Sequence, residues 1–485
     1  MILTVFLSLI FPLLAGWMVA SGLLGVDGRS GRLTLSALSL GLGFGVFSCL
    51  VFVLLLTAGP SQKALIVTEV VLAACIVAYK ARHWRRYTNA KEAEQTADNA
   101  SMLTRILGLC FYIVLAVSLT TMIVLVVKSP HGQWDAWSIW NLKARYIFRG
   151  GADWRNAFSG ILQYSHRDYP LLLPLSVAGS WILRGRESLV EAAALSFLFT
   201  FAVIVLLTSS LGTLRSRSQG YVAGLLLLGS AVFIPEGASQ LADVPAGFFY
   251  LAAAVSLALY HSSAASEGRL LALAGLAAAL AAWTKNEGIL FLVAITTALF
   301  LFGFPKTPLT MRARKMAPFL AGALPVILVL GAFKVGVSGA ANDILSAESR
   351  LQKLLSLSRY TKVGQAFATL LWGYGGWGVS GAVLLCGYLA LVGVSVEPRN
   401  KPTVYTLFGA LCIMFGGLLF IFVLSPYELD WHLQAALPRL LLQLWPMFLL
   451  TFFLVARTPE AALASESKER LRHKTEEVLP ADSLH

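Results

Sequence analysis

KSPHGQWDAWSIWNLKARYIFRGGADWRNAFSGILQYSHRDYP, Lys128–Pro170, is the first long polar interval in a chain otherwise built of apolar runs. The apolar run Leu103–Val127 delivers it, and a second, LLLPLSVAGSWIL (Leu171–Leu183), takes over directly after it. Inside it lie an acid beside a tryptophan (Asp135), tryptophans at every third position, several basic residues, and the terminus His166-Arg167-Asp168-Tyr169-Pro170. An apolar run too long for an ordinary core helix leads into a loop too polar to enter lipid, and apolar sequence resumes directly after it. That alternation decides the fold class.

The rest of the chain repeats it. Its 485 residues are 57% hydrophobic and 13% charged, with mean hydropathy +0.73. A soluble chain carries roughly twice that charged share. Apolar runs of about 17 residues or more recur from Met1 to Arg457, each long enough to cross the hydrocarbon core. The expectation is an all-α polytopic membrane protein, since the alternation of an outer-membrane barrel is missing. The expected spans are Ile2–Leu24, Leu33–Ala58, Ala64–Tyr79, Leu103–Val127, Leu189–Leu211, Tyr221–Ile234 and Val244–Tyr260. Then come Leu270–Trp283, Gly288–Phe304, Met316–Val337, Thr369–Val394, Thr403–Leu424 and Pro438–Val455, about thirteen in all. Leu171–Leu183 is too short to count and reads as a juxtamembrane or re-entrant helix. Met1–Ala20 lacks a basic leading region and another span follows at once, so it reads as a membrane helix rather than a signal peptide.

Cys49, Cys75, Cys110, Cys386 and Cys412 all fall in apolar segments without CxxC spacing, which suggests neither a zinc site nor a disulfide framework. The formal charge of +13 is scattered over short loops, which argues against nucleic-acid binding. Lys80–Lys91, Arg215–Arg217, Lys306–Lys315 and Arg399–Lys401 share one side with Arg29, Arg32 and the tail. Pro235–Asp243 and Ser425–Leu437, on the other, hold no Lys or Arg. The positive-inside rule then predicts the N-terminus outside and the C-terminus inside, with Lys128–Pro170 extracytoplasmic.

Two long outer loops are nonetheless basic. Lys143, Arg145, Arg149, Arg155 and Arg167 lie in the first, and Arg350, Lys353, Arg359 and Lys362 in Ser338–Ala368. Long loops escape the topology rule; the alternative is a phosphate-binding surface, since Arg and Lys suit phosphate oxygens. In WDAWSIWNLKAR, Trp134, Trp137, Trp140 and Lys143 follow one side of a helix expected to lie on the outer leaflet. Asp135 at its start is either a helix cap or a functional carboxylate, a general base or metal ligand.

WDAWSIWNLKAR, HRDYPLLLP, QLADVP, TKNEG and RLLLQLWP, in this order over roughly Leu103–Val455, resemble the GT-C superfamily of membrane glycosyltransferases. The resemblance is closer to bacterial relatives of the dolichyl-phosphate-mannose–protein mannosyltransferases and of the lipid A aminoarabinose transferase. It implies a GT-C-like bundle in a bacterial inner membrane, a polyprenyl-phosphate sugar donor, an extracytoplasmic acceptor and transfer with inversion. Asp135 matches the loop acid proposed to deprotonate the acceptor hydroxyl, a role that needs a base within hydrogen-bond reach. The leaving phosphate calls for cations, for which Lys143, Arg145 and Arg167 are the nearest, unless they snorkel to the interface. His166 and Asp168 precede a turn that in relatives is Pro-Pro-Leu-like and here is Tyr169-Pro170-Leu171, so a turn and a sugar- or cation-binding pair both fit. Asp243 matches an aspartate of the relatives facing the same cavity; the alternative is an N-cap. Lys285 and Glu287 interrupt an apolar hairpin, a costly placement that marks functional candidates, with Lys285 read as a donor-phosphate contact. Arg439 reaches the phosphate or pairs with Asp430 of the Glu428–His432 cluster.

The site expected is therefore Asp135 as catalytic base and Lys143, Arg145, Arg167, Lys285 and Arg439 on the donor phosphate. Trp134, Trp137, His166, Asp168, Tyr169, Asp243 and Glu287 are expected on substrate. No cofactor is assigned from the sequence; a divalent metal ion is the one class admitted, with Asp135, Asp168 and His166 as available ligands. Asn342, Asp343, Glu348 and Tyr360 are acceptor candidates that nothing in the sequence separates. The expected organisation is a three-span extension (1–102), a catalytic core (103–337), a second outer loop with three spans (338–456) and a cytosolic tail (457–485). A lipid-linked-sugar flippase or transporter and a polysaccharide polymerase or ligase are the rival readings.

Overall fold

The computed structural model describes residues 2–24, 31–87, 101–263, 268–339, 350–375 and 378–465. Asn342, Asp343, Glu348 and the tail from 466 onward lie outside the described residues, as do the side chains of the basic stretch from Lys80. Among the described residues the protein is helical, with no β-sheet. The N-terminal helices are α1 (Ile2–Leu24), α2 (Arg32–Ala58), α3 (Gln62–Tyr87) and α4 (Met102–Lys128). The loop follows, with a π turn at Ala136–Trp140 running into α5 (Asn141–Gly150). Then come α6 (Leu172–Arg184), α7 (Val190–Leu214), α8 (Arg217–Leu228), α9 (Phe233–Ala238), α10 (Asp243–Ser262), α11 (Gly268–Thr284), α12 (Asn286–Phe302) and α13 (Leu309–Phe333). The C-terminal part contains α14 (Arg350–Leu355), α15 (Leu357–Gly373), α16 (Gly381–Val392), α17 (Lys401–Leu424) and α18 (Leu429–Val455).

Seven of these are long and apolar enough to cross a membrane: α2, α4, α7, α10, α13 with the turn after it, α17 with the turn before it, and α18. Apolar helices of 10–17 residues accompany them, among them α6, α11, α12 and α16. The protein is thus an α-helical polytopic membrane protein. Three expected spans differ in outline. Tyr221–Ile234 divides into α8, which ends at Leu228, and the short α9 from Phe233. Thr369–Val394 breaks into α15 and α16, because the chain turns through positive φ at Gly375 and Gly378. The last span begins at Leu429, not Pro438, because the Glu428 carboxylate accepts from the N–H groups of Asp430 and Trp431 and so caps an earlier start.

Helix α10 is the axis of the bundle. It is apolar on every face and buried from Asp243 to Leu259, as such a helix must be. It packs against α7, α11 and α18. Helix α2 belongs to the same core: Phe52 meets the rings of Trp283 and Phe333, and the Trp283 indole donates to Ser48 Oγ at 3.0 Å. Helices α11 and α13 touch backbone to backbone, since a Cβ on Gly275 would fall onto the Phe319 carbonyl and one on Gly322 onto that of Ala272. Small residues permit that approach in lipid, where no hydrophobic force drives helices together.

One end of α10 is stitched to the Asp135 loop. Gln133 N donates to Ser239 O (3.1 Å), Gln240 Nε2 to Pro130 O (3.0 Å), and Asn141 Nδ2 to Gln240 Oε1 (2.9 Å). At the far end, Arg215 and Gln219 donate to the Ala456 carbonyl beyond α18, and Val394 pairs with Ala456 in a short antiparallel bridge.

Candidate functional site

Four chain segments bring charges together where α10 begins. Asp135 precedes the π turn, Asp243 opens α10, Lys285 stands at the turn between α11 and α12, and Arg439 lies ten residues into α18. Arg439 Nη2 donates to Asp135 Oδ2 at 2.7 Å and to Asp243 Oδ2 at 3.1 Å, with Nε also on Asp243 Oδ2 at 3.2 Å. Asp243 Oδ1 accepts from Lys285 Nζ at 2.9 Å and from Gln443 Nε2 at 2.7 Å, while Lys285 also pairs with Glu287 at 3.1 Å. Tyr250 Oη completes the set by donating to Gln443 Oε1 at 3.1 Å.

This geometry decides several open alternatives. Neither Asp135 nor Asp243 forms a side-chain cap at its helix start; both carboxylates face Arg439 instead. Arg439 does not pair with Asp430, whose partner is Lys362 at 2.6 Å on the exposed surface. Asp243 is fully buried, so its charge persists only because two cations and an amide surround it. The Asp135 side chain is 26% exposed, and its Oδ1 has no protein partner among the described residues.

A second cluster adjoins the first through the α12 start. Asp168 Oδ2 accepts from Asn286 Nδ2 at 2.6 Å, and Lys334 donates to Asn286 Oδ1 (2.8 Å) and to the Asp168 carbonyl. Lys143 is fully buried and donates to His166 O at 2.7 Å. Burial pushes its ammonium down to about 7; Asp168 opposes that shift and Lys334 adds to it. His166 takes a left-handed backbone (φ 47°) and stacks on Tyr169, which stacks in turn on Trp140. Tyr169 is held well above its ordinary value, first by burial and then by the carboxylates of Glu287, Asp168 and Asp135.

The expected tryptophan stripe is split by the π turn. Trp134 and Trp137 are exposed and meet edge to face at 4.3 Å, whereas Trp140 and Lys143 turn inward. Arg145 is not at the site: with Arg149 it grips Glu187, at 2.8 and 2.7 Å. Burial alone would raise the Glu187 carboxyl, but the two arginines hold it below its ordinary value. Arg167 forms no ion pair or hydrogen bond among the described residues. In the second basic loop, Arg359 donates to the carbonyls of Val423, Phe422 and Ser425 at the end of α17, and so serves that helix terminus rather than a phosphate surface.

Five participants escaped the sequence reading: Glu236, Tyr250, Asn286, Lys334 and Gln443. Lys334 carried the clearest signal, a charge within an expected apolar span. Glu236 sits on α9 with Oε2 buried and without a partner; burial, then the Asp243 charge, push its carboxyl up to about 7 against Arg439 and Lys285. As for a divalent ion, no group of three or more His, Cys, Asp or Glu side chains able to hold one occurs among the described residues. Asp135 and Asp168 are committed to Arg439 and to Asn286 with Lys334, so the suggested ligands do not converge. No family model, curated protein or solved structure matches the chain.

Proposed function

We propose that this protein is an inverting membrane glycosyltransferase of GT-C-like architecture, moving a sugar from a polyprenyl-phosphate donor to a hydroxyl of an extracytoplasmic acceptor. With α1, α3, α8, α11, α12 and α16 crossing as well, the spans would number about thirteen. The Asp135 end would face outward from a bacterial inner membrane, with the N-terminus outside and the C-terminus inside.

The observation that carries this reading is the state of Asp135. Arg439 fixes one carboxylate oxygen, the other has no partner among the described residues, and the exposed indoles of Trp134 and Trp137 flank it. A general base needs this combination: a held orientation and one oxygen left for the proton. In the proposed step the acceptor oxygen forms its bond to the anomeric carbon while its proton passes to Asp135. The bond from that carbon to the donor phosphate oxygen breaks, and the electron pair leaves with the phosphate. Arg167, which forms no ion pair among the described residues, is the cation best suited to that charge; Lys143, expected there too, is fully buried on the His166 carbonyl. Arg439 and Lys285 instead hold the carboxylates in place.

The test is transfer by purified protein in lipid, using radiolabelled polyprenyl-phosphate sugars and extracted envelope acceptors, for wild type and Asp135→Asn, with and without EDTA. Wild type should transfer and the variant should lose about 10²-fold or more. A normally folded Asp135→Asn protein that keeps full activity would sink the proposal. Loss of wild-type activity in EDTA would add a metal to the mechanism.

A further inference from the structure

The far end of α12, roughly 25 Å from Lys285 at 1.5 Å per residue, carries a different collection of charges. The chain there runs Gly303-Phe304-Pro305-Lys306-Thr307-Pro308 into α13. Arg312 braces this turn by donating to the carbonyls of Thr307 (3.0 Å), Phe300 (3.0 Å) and Leu301 (2.6 Å), which terminates α12. A cleft of about 420 Å³ opens beside it, lined by Lys306, Thr307, Pro308, Met311, Arg314 and Lys315.

Three features of this cleft point to an anion. Lys306, Arg314 and Lys315 form no ion pair among the described residues, and no acidic side chain lines the cleft. No side chain caps α13, whose first turn lines the cleft and presents N–H groups and the positive end of the helix dipole. The contrast with the Asp135 end is direct, since there each central cation meets a carboxylate. A fourth feature points to an amphiphile: Leu301, Phe302, Leu309 and Met311 expose apolar surface next to the basic residues. A free phosphate would neutralise the cations and leave that surface bare. A phospholipid covers both.

We propose that this cleft binds the phosphate headgroup of an anionic phospholipid, with the acyl chains against the exposed apolar residues of α12 and α13. The proposal is independent of the transferase reading and involves none of its residues.

Native mass spectrometry of the purified full-length protein, titrated with phosphatidylglycerol or phosphatidylcholine, tests it. Wild type should retain phosphatidylglycerol preferentially, and Lys306→Gln/Arg314→Gln/Lys315→Gln should weaken that retention at least tenfold while leaving phosphatidylcholine binding unchanged. Thermal stability in phosphatidylcholine checks that the variant is folded. Arg314→Gln alone, expected to weaken retention about fivefold, serves if the triple variant does not fold. Equal retention by wild type and variant would overturn the proposal and leave the charges a topological signal only. Displacement of the lipid by equimolar inorganic phosphate would overturn it too, because the cleft would then be a simple anion site.

Discussion

Arg439 and Asp135 lie 304 positions apart in the chain and 2.7 Å apart in the fold. The same guanidinium nitrogen touches Asp243, so one side chain on α18 aligns the loop carboxylate against the first turn of the most buried helix. A lysine carries the charge but not the fork needed for both acids. Arg439→Lys should therefore keep the fold and lower kcat of the proposed transfer about 10- to 100-fold, with KM nearly unchanged. A fall in KM-linked binding alone would mean that Arg439 serves the substrate rather than Asp135.

Removing the centre of the network should be far more disruptive. Asp243→Asn leaves Lys285 and Arg439 facing a neutral amide in a fully buried position, which is expected to lower stability by about 3–5 kcal/mol. Asp430→Asn, which breaks the exposed pair with Lys362, should change it by about 1 kcal/mol or less. Denaturation midpoints of the two variants in the same detergent give the comparison; equal losses would contradict the network.

Lys143 gives the protein a pH signature. Its folded-state value of about 7 lies below the ordinary 10.5. Below pH 7 the ammonium is charged in folded and unfolded chains alike, and the fold bears the full penalty of burying it. Between 7 and 10.5 the unfolded chain binds the extra proton, so stability rises with pH. Lys143→Met removes this dependence. The stability difference between variant and wild type should shift by about 2–3 kcal/mol toward wild type from pH 7 to pH 9. Melting curves of both proteins across that range provide the check, and parallel pH profiles would refute the buried ammonium.

Gly275 tests the helix contact. A methyl group there meets the Phe319 carbonyl, so Gly275→Ala should destabilise by about 1–3 kcal/mol. Gly331, on the same partner helix α13, has open space around it. Gly331→Ala should lie within about 0.5 kcal/mol of wild type. Thermal unfolding of the pair distinguishes a specific backbone approach from a general intolerance of substitution.

Much of this molecule was legible because lipid imposes a simple rule: long apolar runs become helices, and charged residues left near their ends stand out. Asp135, Asp243, Lys285 and Arg439 were each conspicuous for that reason. Their convergence was not, because no periodicity relates positions on four different segments. The capping alternatives for Asp135 and Asp243 were equally consistent with local spacing; only the arrival of Arg439 from α18 separates them. Arg145 pairs away from the site for the same reason, since its partner Glu187 lies 42 positions on, beyond α6. Gln443 and Tyr250 gave little signal, as single polar atoms in apolar helices report a partner only once the helices are packed.

Helix α18 is anchored at both extremities: by Glu428 and the paired carboxylates toward its start, and by Arg215 and Gln219 on the Ala456 carbonyl at its finish. At 27 residues it is a strut of about 40 Å. A strut held this way cannot slide along its own axis without breaking one set of fastenings. The register of Arg439 against Asp135 is therefore set partly from the opposite face of the bundle, by residues that never touch the carboxylates they align.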